Sequence, residues 1–174
     1  PFVFAEHRRS GFLRGIIHQR HAQSRFTCFR RQTAQRQLRG MLGGQRREMT
    51  VLFSDMRGFT TLTEQGQPEV IVRTLNEYFT RMVDLVFLHK GTLDKFVGDM
   101  VMALFGAPLD DADHADHAVE AALDMVTELG RLNERWRAEG QPELDIGIGI
   151  NTGSMIAGNI GSDAIMSYTV IGDA

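Results

Sequence analysis

The chain has 174 residues, the size of one ordinary domain, and its 43% hydrophobic and 24% charged residues are typical of a globular protein. Its single cysteine, Cys28, excludes an internal disulfide and fits a reducing compartment, so we expect a cytoplasmic protein. No apolar run approaches the roughly 20 residues that span a bilayer, so the sequence predicts no transmembrane helix. Membrane attachment of a longer parent protein stays open.

The net charge of −3 conceals two segments of opposite charge. Residues 1–47 contain 11 of the 19 basic residues, all of them arginine, and one acidic residue, Glu6. This leaves 8 basic and 21 acidic residues in 48–174. We therefore predict a basic linker or poorly ordered N-terminal segment at 1–41, followed by a folded domain at 42–174.

The N-terminal segment shows no sustained helical or strand period, although 33–42 allows a short helix that ends at Gly43-Gly44. A basic arm for nucleic acid or acidic lipid is the alternative, because clustered arginines bind phosphate. Only Phe26 and Phe29 accompany these arginines, which is weak support for base stacking. We therefore do not expect a nucleic-acid partner.

The pattern becomes regular after Glu48 and predicts the order strand–helix–strand–strand–helix–strand, with one more strand at the end. This order matches the split βαβ, ferredoxin-like arrangement, so we predict an α+β fold with helices on one face of a mainly antiparallel sheet. The predicted strands are 49–54, 92–97, 100–105, 144–151 and 165–171; the predicted helices run from Pro68 to Gly91 and from the acidic run at 110–117 to Gly140, and 153–161 is expected to form turns.

Two aspartates stand where this fold would bring them together. Asp55 follows the first apolar strand, and Asp99 lies in the Gly98-Asp99 pair, a typical two-residue hairpin turn. If the first strand neighbours the hairpin, both carboxylates meet at one edge of the sheet. Hard carboxylate oxygens are the ligands that Mg²⁺ prefers, and the free N–H groups of Gly58-Phe59-Thr60, at a helix start, suit phosphate. A helix cap for Asp55 and a plain turn residue for Asp99 are the simpler readings of each acid alone.

Two other patterns are weaker candidates, one for a metal site and one for a nucleotide-binding loop. The run 110–117 contains His114 and His117, but acidic residues in a first helical turn are favoured by the helix dipole alone. Gly147-x-Gly149 lies inside a strand and lacks the third glycine of a dinucleotide loop. These glycines alternate with bulky isoleucines, which gives the strand a bare face that another backbone or a ligand can approach.

Several motifs together resemble the class III nucleotidyl cyclase catalytic domain of bacterial type. They are FSDMRGFT at 53–60, DKFVGDMVMA at 94–103, GIGINTG at 147–153 and YTVIGDA at 168–174. The resemblance is collinear and covers about 42–174.

The resemblance implies a role for each matching residue. Asp55 and Asp99 match the two metal-binding aspartates, and the backbone carbonyl of Met56 matches a further ligand, for two Mg²⁺ or Mn²⁺ ions per site. Lys95 and Thr169 match the base-selecting pair. Guanylate-making members tend to carry Glu and a small residue there, so this pair favours ATP. A lysine only donates hydrogen bonds, which suits adenine N1 and not the N1–H edge of guanine.

The family also implies partners for the domain. The active site forms in a homodimer, in which one protomer gives the metal aspartates and the other gives the base-selecting pair. An upstream sensor or regulatory domain is expected in the parent protein. The expected activity is an adenylate cyclase that converts ATP to 3′,5′-cyclic AMP and pyrophosphate in signal transduction.

The sequence departs from the family after Ala174, where members continue into a helix carrying an asparagine and an arginine for the ribose and the transition state. We therefore expect an incomplete fold at the C-terminus and weak or absent turnover by these 174 residues alone. The alternatives are a non-catalytic cyclase-like regulatory domain and a guanylate cyclase.

Overall fold

The computed structural model describes residues 3–4, 43–162 and 165–172 of the chain. The predicted N-terminal segment 1–41, including the short helix expected at 33–42, lies outside the described residues except for its two-residue strand. The helices and strands in chain order are β1 Val3–Phe4, β2 Gly43–Arg57, α1 Phe59–Gln65, α2 Pro68–Leu88, β3 Thr92–Val97, β4 Met100–Phe105, α3 His114–Ala138, β5 Asp145–Gly161 and β6 Met166–Ile171.

The strands form one antiparallel sheet in the order β1–β5–β2–β4–β3, and β6 also pairs with β5. β4 lies between β2 and β3, which is the split βαβ arrangement because α2 connects the two outer strands. The four central strands follow the order of a ferredoxin-like sheet. The predicted α+β, ferredoxin-like fold is confirmed.

The pairing of β2 with β5 is much longer than expected. It continues without a shift from Gly43↔Asn159 to Arg57↔Asp145, so the predicted strand at 49–54 is extended at both ends. The turns predicted for 153–161 are wrong, because this stretch is the second half of β5. Its backbone pairs with β2 on one side and with β6 on the other, and these hydrogen bonds outweigh the low strand preference of glycine, serine and asparagine.

Gly158 explains why this half of β5 contains glycine. A Cβ atom at Gly158 would lie 2.1 Å from the Gly43 carbonyl oxygen and 2.5 Å from the Gly44 Cα. The backbones of β2 and β5 therefore approach each other so closely that no side chain fits at this position.

The long helices form as their sequences predict. Pro68 occupies the first position of α2 with Gln67 as the N-cap, where a missing N–H costs nothing. The apolar stripe of α2 buries Tyr78, Met82 and Val86, each fully inaccessible to solvent. No helix in the described ranges is both long and apolar enough to cross a membrane.

The helices cover one face of the sheet. Leu52 and Met56 of β2 face the core that contains α2 and α3, including Trp136. The alternate residues Met49 and Val51 face a second, smaller cluster. In this second cluster Met155 and Ala157 of β5 pack with Tyr168 and Val170 of β6. The sheet thus has a helix-covered face and a helix-free face.

Candidate active site

The register of β2 against β4 brings Asp55 and Asp99 to the same end of the sheet. Ser54 pairs with Val101 and is the last β2 residue with a β4 partner. Asp55 comes next in β2, and Asp99 lies in the turn that precedes β4. Since side chains alternate along a strand, Asp55 shares the helix-free face with Phe53, opposite to Ser54.

Asp55 lies close enough to Asp99 for the charge of Asp99 to affect its pKa. Burial raises the pKa of Asp55, the negative charge of Asp99 raises it further, and a hydrogen bond from the Met56 backbone N–H lowers it. Two carboxylates that repel each other at an exposed edge are neutralised by a divalent cation. The donor set therefore fits a metal ion. The Met56 carbonyl, the further predicted ligand, follows directly in a part of β2 that has passed its last β4 partner.

A buried pair of hydroxyl groups supports this end of β2 from the helix side. Ser54 Oγ and the Tyr78 hydroxyl lie 3.0 Å apart, and both residues are fully buried. Burial raises the pKa of Tyr78 to about 12, the hydrogen bond with Ser54 lowers it, and the charges of Asp55 and Asp99 add to the rise. Tyr78 therefore links α2 to the strand end that carries Asp55.

The bare face predicted for the strand at 144–151 lies beside the acids. Gly147 is the β5 partner of Asp55, and Gly149 is the partner of Phe53. A Cβ atom at Gly147 would meet only the Arg57 guanidinium, 3.5 Å away, within 4 Å. The helix-free face therefore has no side chain at the position next to Asp55, which leaves room for a ligand or a second backbone.

The predicted phosphate-binding stretch begins directly after β2. Gly58 has φ 70°, a left-handed conformation that glycine adopts without strain, and it caps α1 with no side-chain hydrogen bond. Phe59 packs against the helix-side core, and Thr60 is exposed. The start of α1 therefore lies directly after the end of β2 that carries Asp55.

Lys95 and Thr169 are 74 residues apart in sequence and are in direct contact. Lys95 Nζ donates to Thr169 Oγ1 at 2.9 Å. Lys95 pairs with Met102, and Met102 pairs with Phe53, so Lys95 lies on the same helix-free face as Asp55. The structure brings the predicted base-selecting residues together within one chain.

A third residue, which the sequence analysis did not assign, completes this pair. The Thr169 hydroxyl donates to Asp94 Oδ2 at 2.6 Å, and Lys95 Nζ lies 3.4 Å from Asp94 Oδ1. The pairing of β3 with β4 shifts between Leu93 and Lys95, so Asp94 is an extra residue in a β-bulge. In a regular strand neighbouring side chains point to opposite faces. Only the bulge allows Asp94 and Lys95 to reach the same hydroxyl.

The acidic run at 110–117 forms separate polar contacts. Asp111 accepts from His117 at 2.8 Å, and Asp110 forms an ion pair with Arg47 at 2.5 Å. His114 bonds the buried Thr50 hydroxyl at 2.7 Å. These side chains fix the start of α3 against β2, which is a structural role.

Comparison with known proteins identifies the family. Residues 43–174 match the family described as "Adenylate and Guanylate cyclase catalytic domain". Adenylate cyclase 1 of Rhizobium meliloti is 39% identical over 137 residues, which is 77% of this chain and 21% of that protein. This chain therefore spans about a fifth of the length of that relative.

Two solved structures are similar in both sequence and fold. The adenylyl cyclase CyaB from P. aeruginosa is 42% identical with a TM-score of 0.73, over 76% of this chain and 69% of that one. The guanylyl cyclase Cya2 is 44% identical with a TM-score of 0.72, over 76% of this chain and 67% of that one. The chain belongs to the adenylate and guanylate cyclase catalytic domain family.

Proposed function

We propose that this chain is the catalytic domain of an adenylate cyclase, which converts ATP to 3′,5′-cyclic AMP and pyrophosphate. The observation that carries the proposal is that the fold forms two residue pairs from distant parts of the chain. Asp55 and Asp99 lie at the hairpin end of the sheet, where the charge of Asp99 acts on Asp55, and Lys95 contacts Thr169.

The acid pair is proposed as the metal site. Asp55, Asp99 and the Met56 carbonyl would hold two Mg²⁺ or Mn²⁺ ions. Such ions, when bound, activate the ribose 3′-hydroxyl and stabilise the pyrophosphate leaving group. The position of two acidic side chains at one end of the sheet supports this assignment, because a divalent cation neutralises carboxylates that otherwise repel each other. The start of α1 at Gly58-Phe59-Thr60 is proposed to bind the phosphates through its backbone N–H groups.

The Lys95–Thr169 pair is proposed to select adenine. An ammonium group can only donate hydrogen bonds, and adenine N1 is an acceptor. In guanine the same ring position is an N–H donor, which would oppose Lys95. The contact between Lys95 Nζ and Thr169 Oγ1 supports a single binding point for the base edge.

A second copy of the chain is the proposed partner, with the acids of one protomer acting beside the base-selecting pair of the other. The β5–β6 surface supports a contact between copies, because Ile156 and Ile171 pair with each other and are 39% and 58% exposed. Ile160 adds a further exposed side chain to the same strand. Apolar surface of this kind is typical of a protein interface. A cytoplasmic location and an upstream sensor domain are further parts of the proposal.

The metal site is tested by nucleotide binding rather than by turnover. 3′-Deoxy-ATP lacks the attacking hydroxyl and cannot be cyclised, so its affinity can be titrated with Mn²⁺ present or chelated. We expect binding to require Mn²⁺ and to weaken at least tenfold in Asp55→Asn and in Asp99→Asn, since each loses one anionic ligand. Asp116→Asn, an exposed residue of α3 with the same change of charge, is the matched control.

Two results would contradict the proposal. Unchanged Mn²⁺-dependent affinity in both aspartate variants would remove the metal site. A preference for 3′-deoxy-GTP over 3′-deoxy-ATP would favour a guanylate cyclase. Product analysis of the parent protein with ATP and with GTP would then identify the cyclic nucleotide that it makes.

A further inference from the structure

Asp94 is a buried carboxylate that the proposed function leaves without a role. Its side chain is completely inaccessible to solvent, although it lies on a strand at the edge of the sheet. Oδ2 accepts the Thr169 hydroxyl at 2.6 Å. Among the residues that the structure describes, Oδ1 has no hydrogen-bond partner, and the Lys95 ammonium lies 3.4 Å away. An aspartate is almost never buried so completely unless it is paired, and the partners of Asp94 are Lys95 and Thr169.

The chemistry of the three groups determines the direction of each hydrogen bond. An ammonium only donates and an ionised carboxylate only accepts. Lys95 must therefore donate to Thr169 Oγ1, and the hydroxyl proton of Thr169 must be directed to Asp94. Thr169 Oγ1 keeps one lone pair and has no proton left for a ligand.

We propose that Asp94 is a specificity-determining positioning residue that makes the Thr169 hydroxyl a hydrogen-bond acceptor toward the nucleotide base. An acceptor at this point suits the exocyclic amino group of adenine and opposes the carbonyl oxygen that guanine carries at the same ring position. The inference rests on the proposed function, because it concerns the base that the same site selects.

A simpler role for Asp94 is that of a counter-charge for Lys95. Burial raises the pKa of Asp94, while the Thr169 hydrogen bond and the Lys95 charge lower it, so the net effect is a rise. The shorter contact of Asp94 is with the Thr169 hydroxyl, at 2.6 Å, and the Lys95 ammonium lies 3.4 Å away; a counter-charge alone does not require the contact with Thr169. The two roles also predict different outcomes, because loss of a counter-charge would weaken ATP and GTP binding equally.

Asp94→Asn tests the inference. The Lys95 ammonium, 3.4 Å from the Oδ1 position, favours the amide oxygen of asparagine on its own side. The amide NH2 then faces Thr169 Oγ1 and donates to it, which releases the hydroxyl proton toward the ligand. We expect the ratio of affinities for 3′-deoxy-ATP over 3′-deoxy-GTP, measured with Mn²⁺, to fall about tenfold, the effect of one well-placed hydrogen bond. Asp116→Asn should leave the ratio at the wild-type value.

Variants of Thr169 distinguish a positioning role from a purely structural one. Thr169→Val removes the hydroxyl and should lower the ratio. In the Thr169→Val background, Asp94→Asn should change the ratio no further, since there is no hydroxyl to orient.

The outcomes separate failure of this inference from failure of the proposed function. Wild-type preference for the ATP analogue that persists in Asp94→Asn overturns the inference and leaves the proposed function intact. An equal effect of Asp94→Asn with and without the Thr169 hydroxyl also overturns the inference. Absence of Mn²⁺-dependent nucleotide binding in the wild-type chain overturns both. Circular dichroism of every variant verifies that a lost preference does not reflect a lost fold.

Discussion

Replacing Tyr78 with phenylalanine removes one oxygen atom from the buried hydroxyl pair that links α2 to the end of β2. The Tyr78 hydroxyl lies 3.0 Å from Ser54 Oγ, and neither residue is accessible to solvent. The ring keeps its packing in the helix-side core, so the substitution changes the hydrogen bond and little else. The neighbouring residue in the chain after Ser54 is Asp55, one of the two proposed metal ligands.

The expected loss follows from the burial of the partner that remains. A buried polar group deprived of its hydrogen bond costs about 1–3 kcal/mol, and we expect about 1–2 kcal/mol here because Ser54 can rotate. For a domain of this size, each kcal/mol shifts the melting temperature by about 2–4 °C. The Tyr78→Phe variant should therefore melt roughly 2–8 °C below the wild-type protein.

The assay is thermal unfolding of four proteins: the wild type, each single variant, and the double variant Ser54→Ala/Tyr78→Phe. Removing both hydroxyls leaves no buried group unpaired, so the double variant should lose less than the sum of the single losses, by about 1 kcal/mol. The chain provides its own control, since Tyr168 is its second tyrosine and is half-buried. Tyr168→Phe should stay within about 0.5 kcal/mol of the wild type.

Two results would refute this reasoning. Strict additivity of the single losses would mean that the two hydroxyls do not stabilise each other. Equal destabilisation by Tyr168→Phe would mean that the loss reflects any tyrosine oxygen and not the buried pair.

Three further predictions concern the paired strands β2 and β5 and the pKa values of Asp55 and Tyr78. Gly158→Ala should lower the melting temperature in thermal unfolding, because its Cβ would overlap the backbone of Gly43 and Gly44. Gly147→Ala on the same strand is the control and should not lower it, because its Cβ would meet its nearest neighbour at 3.5 Å. Equal losses in the two variants would contradict the close approach of the β2 and β5 backbones at Gly158. The folded-state pKa of Asp55 is raised, so its contribution to stability is present below the usual pKa of 3.8 and is lost as pH rises through the folded value. Without metal, the Asp55→Asn variant should consequently have a higher melting temperature than the wild type at neutral pH but not in acid. Added Mn²⁺ should give the wild type the higher melting temperature, because it binds the wild type. A metal-free variant that is less stable than the wild type at neutral pH would contradict this prediction. The pKa of Tyr78 is raised to about 12, so its contribution to stability is present below its ordinary pKa of 10.0 and is lost as pH rises from 10.0 to about 12. Absorbance titration should show Tyr78 ionising near pH 12 or on unfolding. Ionisation of Tyr78 at its ordinary pKa in the folded protein would contradict its burial.

Local patterns were sufficient for most of the elements. The Gly98-Asp99 pair between two apolar runs predicted β3 and β4 with the bounds that the structure has, because a two-residue turn allows little choice of register. Pro68 predicted the start of α2 for a similar local reason, since proline is suited to the first helical position. The placement of Asp55 and Asp99 at one edge followed from these elements once the strand order was assumed.

Local patterns failed where long-range pairing outweighed residue preference. The second half of β5 contains glycine, serine and asparagine, and on its own it resembles a series of turns. It is a strand because β2 and β6 hydrogen-bond to its two edges, and these partners are distant in sequence.

The sequence by itself determined the order of the elements, the two acids and the family motifs, because periodicity and turn chemistry act between neighbouring residues. Only the tertiary structure decided the contacts of Asp94. A bulge in β3 turns this side chain toward Thr169, which lies 75 residues away, and the charges of Asp94 and Lys95 assign the direction of the hydrogen bonds. Neither the bulge nor the burial has a local signal, since both arise from how β3, β4 and β6 meet in the folded chain.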